Sequence, residues 1–167
     1  MSITDDYICV IRSAGERTTE GCKKIVSRET PIRDLYVIEE VPFEEAIKES
    51  FRIGLKRNKK WLVTLDADVL PRPQAIQEML SQANRGNQKI IAFTGLIYDK
   101  FLATFKTAGN HVYRTENLKA ALNYIPHPGS TVRPESKTIK KTKELGLKRT
   151  TLNIVVGLHD FEQYYSD

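Results

Sequence analysis

The chain has 167 residues, 40% of them hydrophobic, a net charge of +5 and a sequence pI of about 9.2. This size and composition are typical of one folded domain and exclude a disordered chain. No stretch approaches the ~18 apolar residues of a membrane-spanning helix, and the amino terminus is acidic where a secretory signal is basic. The cysteines Cys9 and Cys22 have no Cys-x-x-Cys spacing and indicate no zinc or redox site. We expect a cytoplasmic protein, with attachment to a membrane surface as an open alternative.

The first 95 residues alternate between strand and helix patterns. Strands are predicted at 7–13, 34–41, 61–65 and 89–94, and helices at 18–27, 43–57 and 74–84. Strands that alternate with helices form mainly parallel sheets with right-handed crossovers and helices on both faces. The sequence therefore predicts a three-layer α/β/α fold with a mixed, mainly parallel central sheet.

The second half is less regular. A strand is predicted at 109–114, a helix at 115–124, a loop at 125–133 and a last strand at 154–156. The segment 133–149 contains seven Lys and Arg residues against two acids, which favours either a solvated helix or loop, or a lid that closes over phosphates. It lacks interleaved aromatic residues, so we expect no nucleic-acid partner.

The stretch 60–71 combines a buried-strand signal with a chemical one. The run Trp61-Leu62-Val63-Thr64-Leu65 is typical of a central strand and ends in Asp66-Ala67-Asp68. On an extended backbone Asp66 and Asp68 would lie on one face, at the end of the strand where open α/β sheets bind ligands. Two adjacent carboxylates favour a cation between them, and oxygen ligands suit Mg²⁺ or Mn²⁺.

The sequence lacks both common phosphate-binding loops. Neither G-x-x-x-x-G-K-[ST] nor G-x-G-x-x-G occurs, and Gly15 stands alone in the turn after the first strand. A metal held by Asp66 and Asp68 would supply the charge neutralisation that such loops provide. The pattern therefore indicates a nucleotide-binding sheet that relies on a metal ion.

These residues resemble the GT-A glycosyltransferases, especially the inverting enzymes of family 2. That family has the same strand–helix alternation and a D-x-D motif at the end of a central strand, here Asp66-Ala67-Asp68. The resemblance covers about 7–95 and continues more loosely to 157–160, where the family has a glycine followed by an acidic motif. It implies a GT-A fold in a single domain, 1–167, with a nucleotide-binding half at 1–95 and a shorter acceptor-side half at 96–167.

The resemblance also implies roles near the diphosphate. Asp68 would ligate the Mn²⁺ or Mg²⁺ ion that bridges the two phosphates, and Asp66 would contact the ribose or a metal-bound water. Asp160 would be the catalytic base, at the start of a helix, and would deprotonate the acceptor hydroxyl. His159 would contact metal or phosphate; family members usually have Glu-Asp where this chain has His159-Asp160.

The nucleoside itself would be held by residues that follow the first two strands. The resemblance places Arg17, in the first turn, and Glu39 or Glu40, after the second strand, beside the base and ribose. The implied function is transfer of a sugar from a nucleotide-diphosphate sugar, expected to be a UDP-sugar, to a saccharide or lipid-linked acceptor with inversion.

Three other interpretations remain open. Haloacid-dehalogenase-like phosphatases also have D-x-D at a strand end, but on the first strand and followed by a glycine–threonine turn, whereas Val69-Leu70-Pro71 follows here. Nucleotidyltransferases of related topology would need a glycine-rich signature that Ala14-Gly15-Glu16-Arg17 matches poorly. The last alternative is a non-catalytic or incomplete α/β module that binds an anionic partner through its basic surface.

Overall fold

The computed structural model describes residues 6–160 and contains one central sheet flanked by helices. The strands are β1 Tyr7–Arg12, β2 Leu35–Ile38, β3 Trp61–Asp66, β4 Val69–Pro71, β5 Ile90–Asp99, β6 Thr104–Lys106, β7 Asn110–Arg114 and β8 Lys148–His159. The α-helices are α1 Thr19–Val26, α2 Phe43–Arg57, α3 Ala75–Arg85, α4 Leu118–Ala121 and α5 Pro134–Lys141. Short 3₁₀ turns lie at Ile32–Asp34, Thr115–Asn117, Leu122–Tyr124 and Thr142–Leu145.

The sheet is mixed, with the strand order β2-β1-β3-β7-β5-β8-β4 and β6 paired to β5. β1 pairs in parallel with β2 and β3, and β5 pairs in parallel with β8. β7 runs antiparallel to both β3 and β5, and β4 and β6 are antiparallel additions. Strands β2, β1, β3, β5 and β8 therefore point the same way, and their carboxyl ends lie along one edge, which we call the carboxyl edge.

The side chains of each strand point alternately to the two faces of the sheet, so the core forms two layers, one on each face. Along β1, Tyr7, Cys9 and Ile11 pack on the side of α1 and α3, while Ile8 and Val10 pack on the side of α2, α4 and α5. Successive side chains of a strand point to opposite faces, so a strand buried on both faces has a continuous apolar sequence. The arrangement confirms the predicted three-layer α/β/α fold.

The first half follows the prediction closely. Helix α2 has the predicted bounds, and α1 and α3 lie within one or two residues of theirs. The short strands β4 and β6 were not predicted, and β8 is longer than the apolar run at its centre. β4 has only three residues and contains Pro71, which cannot donate a ladder hydrogen bond; such a strand is tolerated at the sheet edge, where β4 lies.

Two features bear on the expected organisation of the chain. The predicted divide between 95 and 96 lies inside β5, and β4 from the first half pairs with β8 from the second. Among the helices of residues 6–160, none is both long and apolar enough to cross a membrane.

Candidate active site

Charged residues that end or follow the strands lie together at the carboxyl edge. β1 and β3 are paired in register so that Arg12, the last residue of β1, lies directly beside Asp66, the last residue of β3. The Arg12 Nε donates to Asp66 Oδ1 at 2.9 Å, and its NH2 group lies 2.7 Å from the same oxygen. The first acid of the D-x-D sequence is thus held by an arginine of the neighbouring strand.

Arg12 also binds a carboxylate from the basic segment. Its NH1 donates to Glu135 Oε1 at 2.6 Å and its NH2 donates to Oε2 at 3.1 Å. Tyr113 Oη donates to the same Oε1 at 2.6 Å, and His111 Nε2 lies 3.1 Å from Oε2. These five side chains (Arg12, Asp66, His111, Tyr113 and Glu135) form a connected polar network, which we call the Arg12 network.

The protonation equilibria of the network follow from burial and charge. Burial alone would raise the pKa of Glu135, but Arg12 and His111 hold that pKa well below its usual range. Burial raises the pKa of Asp66, and Glu135 and Asp68 add to the rise, while Arg12 opposes it. Arg12 therefore provides the positive charge for both carboxylates: it contacts both oxygens of Glu135 and one oxygen of Asp66.

The second acid, Asp68, belongs to a different chain of contacts. His159 Nε2, at the end of β8, lies 3.0 Å from Asp68 Oδ2, and His159 Nδ1 lies 3.6 Å from Asp99 Oδ2. Lys106 forms an ion pair with the same Asp99 oxygen. Asp99 Oδ1 in turn accepts hydrogen bonds from the backbone amides of the turn that follows β5.

The two acids do not share the extended backbone that we expected. Residues 67 and 68 form a turn between β3 and β4, so the two-residue spacing does not place both side chains on one strand face. The turn is held by the Ala67 amide, which donates to Arg12 O at 2.9 Å, and by Thr18 Oγ1, which donates to Ala67 O at 2.8 Å. Asp66 consequently faces Arg12, whereas Asp68 faces His159.

Asp160, the expected base, lies next to Asp68 along the backbone ladder. Its amide donates to Asp68 O at 2.8 Å. Its carboxylate is buried between two cations, with Arg17 NH2 at 3.1 Å and Lys100 Nζ at 2.9 Å. Arg17 thus lies at the same edge of the sheet, as an ion-pair partner of Asp160. The helix expected after Asp160 lies outside the described residues.

Glu39 and Glu40 are exposed residues that follow β2 at the same edge of the sheet. They lie two strands away from β3, in the order β2-β1-β3. The structure therefore gathers Asp66, Asp68 and His159 into one place and leaves these two glutamates outside it.

A cleft of about 640 Å³ opens between the carboxyl edge and the start of α5. Asp66, Asp68 and His159 line it. Its other charged or titratable lining residues are Lys106, His111, Arg133, Glu135 and Arg149. Asp160 is not among the residues that line the cleft in the described part of the chain. The cleft has the volume of a typical small-molecule site, and it combines carboxylates with cations from the basic segment.

The residues fit a metal ion only in part. Within residues 6–160, no group of three or more His, Cys, Asp or Glu side chains is arranged to hold one. Asp68 Oδ1, however, is a buried oxygen that has no hydrogen-bond partner, and Asp66 lies on the same cleft. Mg²⁺ is commonly bound by one or two carboxylates, with substrate phosphates and waters completing its shell. The donor set suits a metal that binds together with a phosphate ligand.

The turn after β1 contains no vacant phosphate loop. The Ala14 amide donates to Glu16 Oε2 at 2.6 Å, and the Gly15 amide donates to Ser13 Oγ at 3.1 Å. Ser13 Oγ donates to the same Glu16 oxygen at 2.9 Å. A carboxylate and a hydroxyl of the chain therefore occupy the two amides that would bind a phosphate in a glycine-rich loop.

Sequence reasoning missed several residues of the site. Arg12 carried a signal, since a charged residue ends an otherwise apolar strand. Asp99 is similar, because it follows the long apolar run of β5. Glu135 and His111 carried none: Glu135 is an acid within a basic segment, and His111 has no metal-ligand partner at a typical spacing in the sequence.

Comparison with known proteins gives a result at the level of structure. No protein-family model matches the sequence, and no curated protein matches it significantly. A glycosyltransferase involved in the glycosylation of the major capsid of PBCV-1 aligns with a TM-score of 0.60 and 13% identity, over 91% of this chain and 92% of that chain. A mannosyltransferase from Pyrobaculum calidifontis, in complex with GDP-Man and Mn²⁺, gives 0.62 and 12%, over 92% of this chain and 56% of that one.

A third similar structure belongs to another class of enzyme. A cytidylyltransferase from Leptospira borgpetersenii serovar Hardjo-bovis aligns with a TM-score of 0.61 and 10% identity, over 91% of this chain and 77% of that chain. At such low identities the likeness establishes the architecture and leaves the reaction open. The chain has the GT-A-like fold of the nucleotide-diphospho-sugar transferases.

Proposed function

We propose that this chain is a glycosyltransferase that binds a nucleotide-diphosphate sugar and transfers the sugar to an acceptor hydroxyl. The observation that carries the proposal is the position of Asp66 and Asp68 at the carboxyl edge of the sheet, on a cleft that also contains Lys106, Arg133 and Arg149. Open α/β sheets bind ligands at this edge, and the mixture of acids and cations suits a diphosphate with a divalent metal.

Each site residue has a proposed task. Asp68, and Asp66 beside it, would hold Mn²⁺ or Mg²⁺, which would neutralise charge on the leaving diphosphate. His159 fixes Asp68 through its 3.0 Å contact, and Arg12 fixes Asp66. The nucleoside is proposed to lie toward the turn that contains Arg17, near Glu39 and Glu40. The acceptor is a saccharide or a lipid-linked group, which would bring the protein to a membrane surface.

The transfer step is proposed to be a single displacement with inversion. The acceptor oxygen forms a bond to the anomeric carbon while the bond from that carbon to the diphosphate breaks, and the nucleoside diphosphate leaves with the electron pair. Asp160 accepts the proton of the acceptor hydroxyl. Its ion pairs with Arg17 and Lys100 hold the carboxylate in a defined position.

Metal-dependent nucleotide binding is the first test. Titration calorimetry with UDP and Mn²⁺ is expected to give binding for the wild type and at least a tenfold loss for Asp68→Ala. Glu20→Ala, at an exposed acid of α1, is the control and should bind as the wild type does. Other nucleoside diphosphates are titrated in the same way. If the wild type binds neither UDP nor any of these in the presence of metal, the proposal is wrong.

Catalysis is tested separately with Asp160→Asn. This variant should retain UDP–Mn²⁺ binding and lose at least about a hundredfold in transfer rate, because the loss of a general base commonly costs that much. The control is Glu20→Gln. A different result would support a non-catalytic module: the wild type binds UDP–Mn²⁺ but transfers no sugar, and Asp160→Asn does not change its UDP–Mn²⁺ binding.

Nucleotidyl transfer is the second candidate, supported by the likeness to a cytidylyltransferase. The first turn argues against it, because the amide of Ala14 and the hydroxyl of Ser13 both donate to Glu16 instead of remaining available for a triphosphate. Release of pyrophosphate from CTP and a sugar phosphate, with no transfer from a nucleotide sugar, would favour this candidate over ours.

A further inference from the structure

A second cleft is formed largely by the basic segment itself, next to the cleft described above. It has a volume of about 610 Å³ and is formed by α5, the turn that follows it and the start of β8. Its charged lining residues are the exposed cations Lys140, Lys143, Lys148 and Arg149. Ile139 and Leu147 contribute apolar surface. No Asp or Glu of the described chain lines it, so we call it the cationic cleft.

These four cations differ from many others on the protein. Lys48, Lys100 and Arg72 each form an ion pair with a carboxylate within 3.0 Å. Within residues 6–160, none of the four cations of the cationic cleft has an ion-pair partner. The nearby Glu144 is paired with Lys141, at 3.0 Å. Like charges that converge without counter-charges repel each other, and an anionic ligand relieves that repulsion.

The two clefts share part of their walls. Ser136 and Arg149 line both of them. Arg149 therefore borders both the cationic cleft and the cleft that contains Asp66 and Asp68. A concave site of this volume also suits a small molecule better than a flat membrane surface.

We propose that the cationic cleft binds the acceptor through a phosphate group, so that the acceptor is a phosphorylated saccharide. The phosphate is held by Lys140, Lys143 and Lys148, the sugar ring lies against Ile139 and Leu147, and Arg149 separates the acceptor phosphate from the donor diphosphate. The designation of this ligand as the acceptor rests on the proposed glycosyl transfer; the binding of a phosphate-bearing sugar does not.

The test uses glucose 6-phosphate as probe and two triple variants of equal charge. Lys140→Gln, Lys143→Gln and Lys148→Gln together remove the cleft cations, while Arg149 is kept because it also lines the Asp66 cleft. Lys24→Gln, Lys56→Gln and Lys119→Gln form the matched control; these lysines are exposed and lie on α1, α2 and α4. Calorimetry should give at least a tenfold loss of affinity for the first triple variant and less than a twofold change for the control.

The proposal is overturned if the wild type does not bind glucose 6-phosphate, or if both triple variants lose affinity equally. A second experiment uses vesicles of phosphatidylcholine and phosphatidylglycerol in equal parts. If the protein sediments with these vesicles but does not bind glucose 6-phosphate, the cationic cleft binds a membrane surface and the proposal is refuted. UDP–Mn²⁺ binding is measured on the same three proteins. Its absence from the wild type would refute the nucleotide site while leaving the result with glucose 6-phosphate in place.

Discussion

Arg12 is a charged residue in the interior of the protein, with only 2% of its side chain exposed. A charge buried this deeply is tolerated when its partners are complete, because removal from water costs several kcal/mol per ion. Asp66 and Glu135 supply two carboxylates, and the guanidinium also stacks over the Phe43 ring at 4.7 Å from its centroid. The Arg12 network therefore fixes the first acid of the D-x-D sequence as part of the folded core.

Removal of the charge of Glu135 should be strongly destabilising. Glu135→Gln leaves Arg12 under-compensated, and we expect a loss of about 3 kcal/mol in the free energy of unfolding. The melting temperature should fall by roughly 10 °C, as measured by circular dichroism. Glu144→Gln, which breaks the exposed pair with Lys141, is the control and should change stability by less than about 1 kcal/mol. Equal effects of the two changes would contradict the role assigned to Glu135.

The same carboxylate gives a pH dependence. Glu135 has a folded-state pKa well below its usual 4.5, so the unfolded chain takes up the proton first as pH falls. Its stabilisation is fully present above about pH 4.5 and is lost as pH decreases toward the folded-state pKa. Urea unfolding from about pH 7 to about pH 3 should give a constant difference between wild type and Glu135→Gln above pH 4.5 and a narrowing difference below it. A difference that stays constant at the lowest pH would contradict the low pKa.

At the scale of elements, the antiparallel pairing of β4 with β8 fixes the position of the second acid, Asp68. β4 follows Asp68 directly and pairs with the last residues of β8, so His159 is brought opposite Val69. Gly157 permits this close approach, since a Cβ at that position would lie 2.0 Å from Leu70 O and 2.7 Å from Pro71 Cα. Backbone atoms cannot yield to a side chain as a flexible side chain would, and the two strands would have to separate.

Gly157→Ala should therefore displace β4 and with it Asp68. We expect a loss of about 2 kcal/mol in stability, together with weaker UDP–Mn²⁺ binding. Gly21→Ala is the control, because its Cβ would have 4.0 Å to the nearest atom and alanine favours the helix in which it lies. Urea unfolding and calorimetry measure the two effects. Unchanged stability and nucleotide binding in Gly157→Ala would show that β4 does not position Asp68.

At the scale of the whole molecule, the two sequence halves share one sheet. β7, from the second half, lies between β3 and β5, and β4, from the first half, closes the far edge against β8. A fragment that ends at residue 95 would leave β3 without β7 and β4 without β8. These strands would then lack neighbours on one side, so the core of the first half would be incomplete.

Unfolding of the whole chain should consequently be a single transition. Tryptophan fluorescence from Trp61, buried in the first half, and far-ultraviolet circular dichroism should give the same urea midpoint. The fragment 1–95 should show no cooperative transition. Two separate midpoints, or a folded fragment, would mean that the nucleotide-binding half is an independent unit.

The sequence by itself determined the layered fold and the place of the D-x-D acids, because local patterns of hydrophobicity fix which segments are strands and where they end. Apolar runs such as Trp61–Asp66 and the stripe of Phe43–Arg57 are signals of adjacent residues, and the structure retains both. Tertiary structure decided how the acids are held. Glu135 meets Arg12 across 123 positions of sequence, and His159 reaches Asp68 only because β8 pairs with β4. Such contacts depend on strand order and helix packing, which no local pattern encodes.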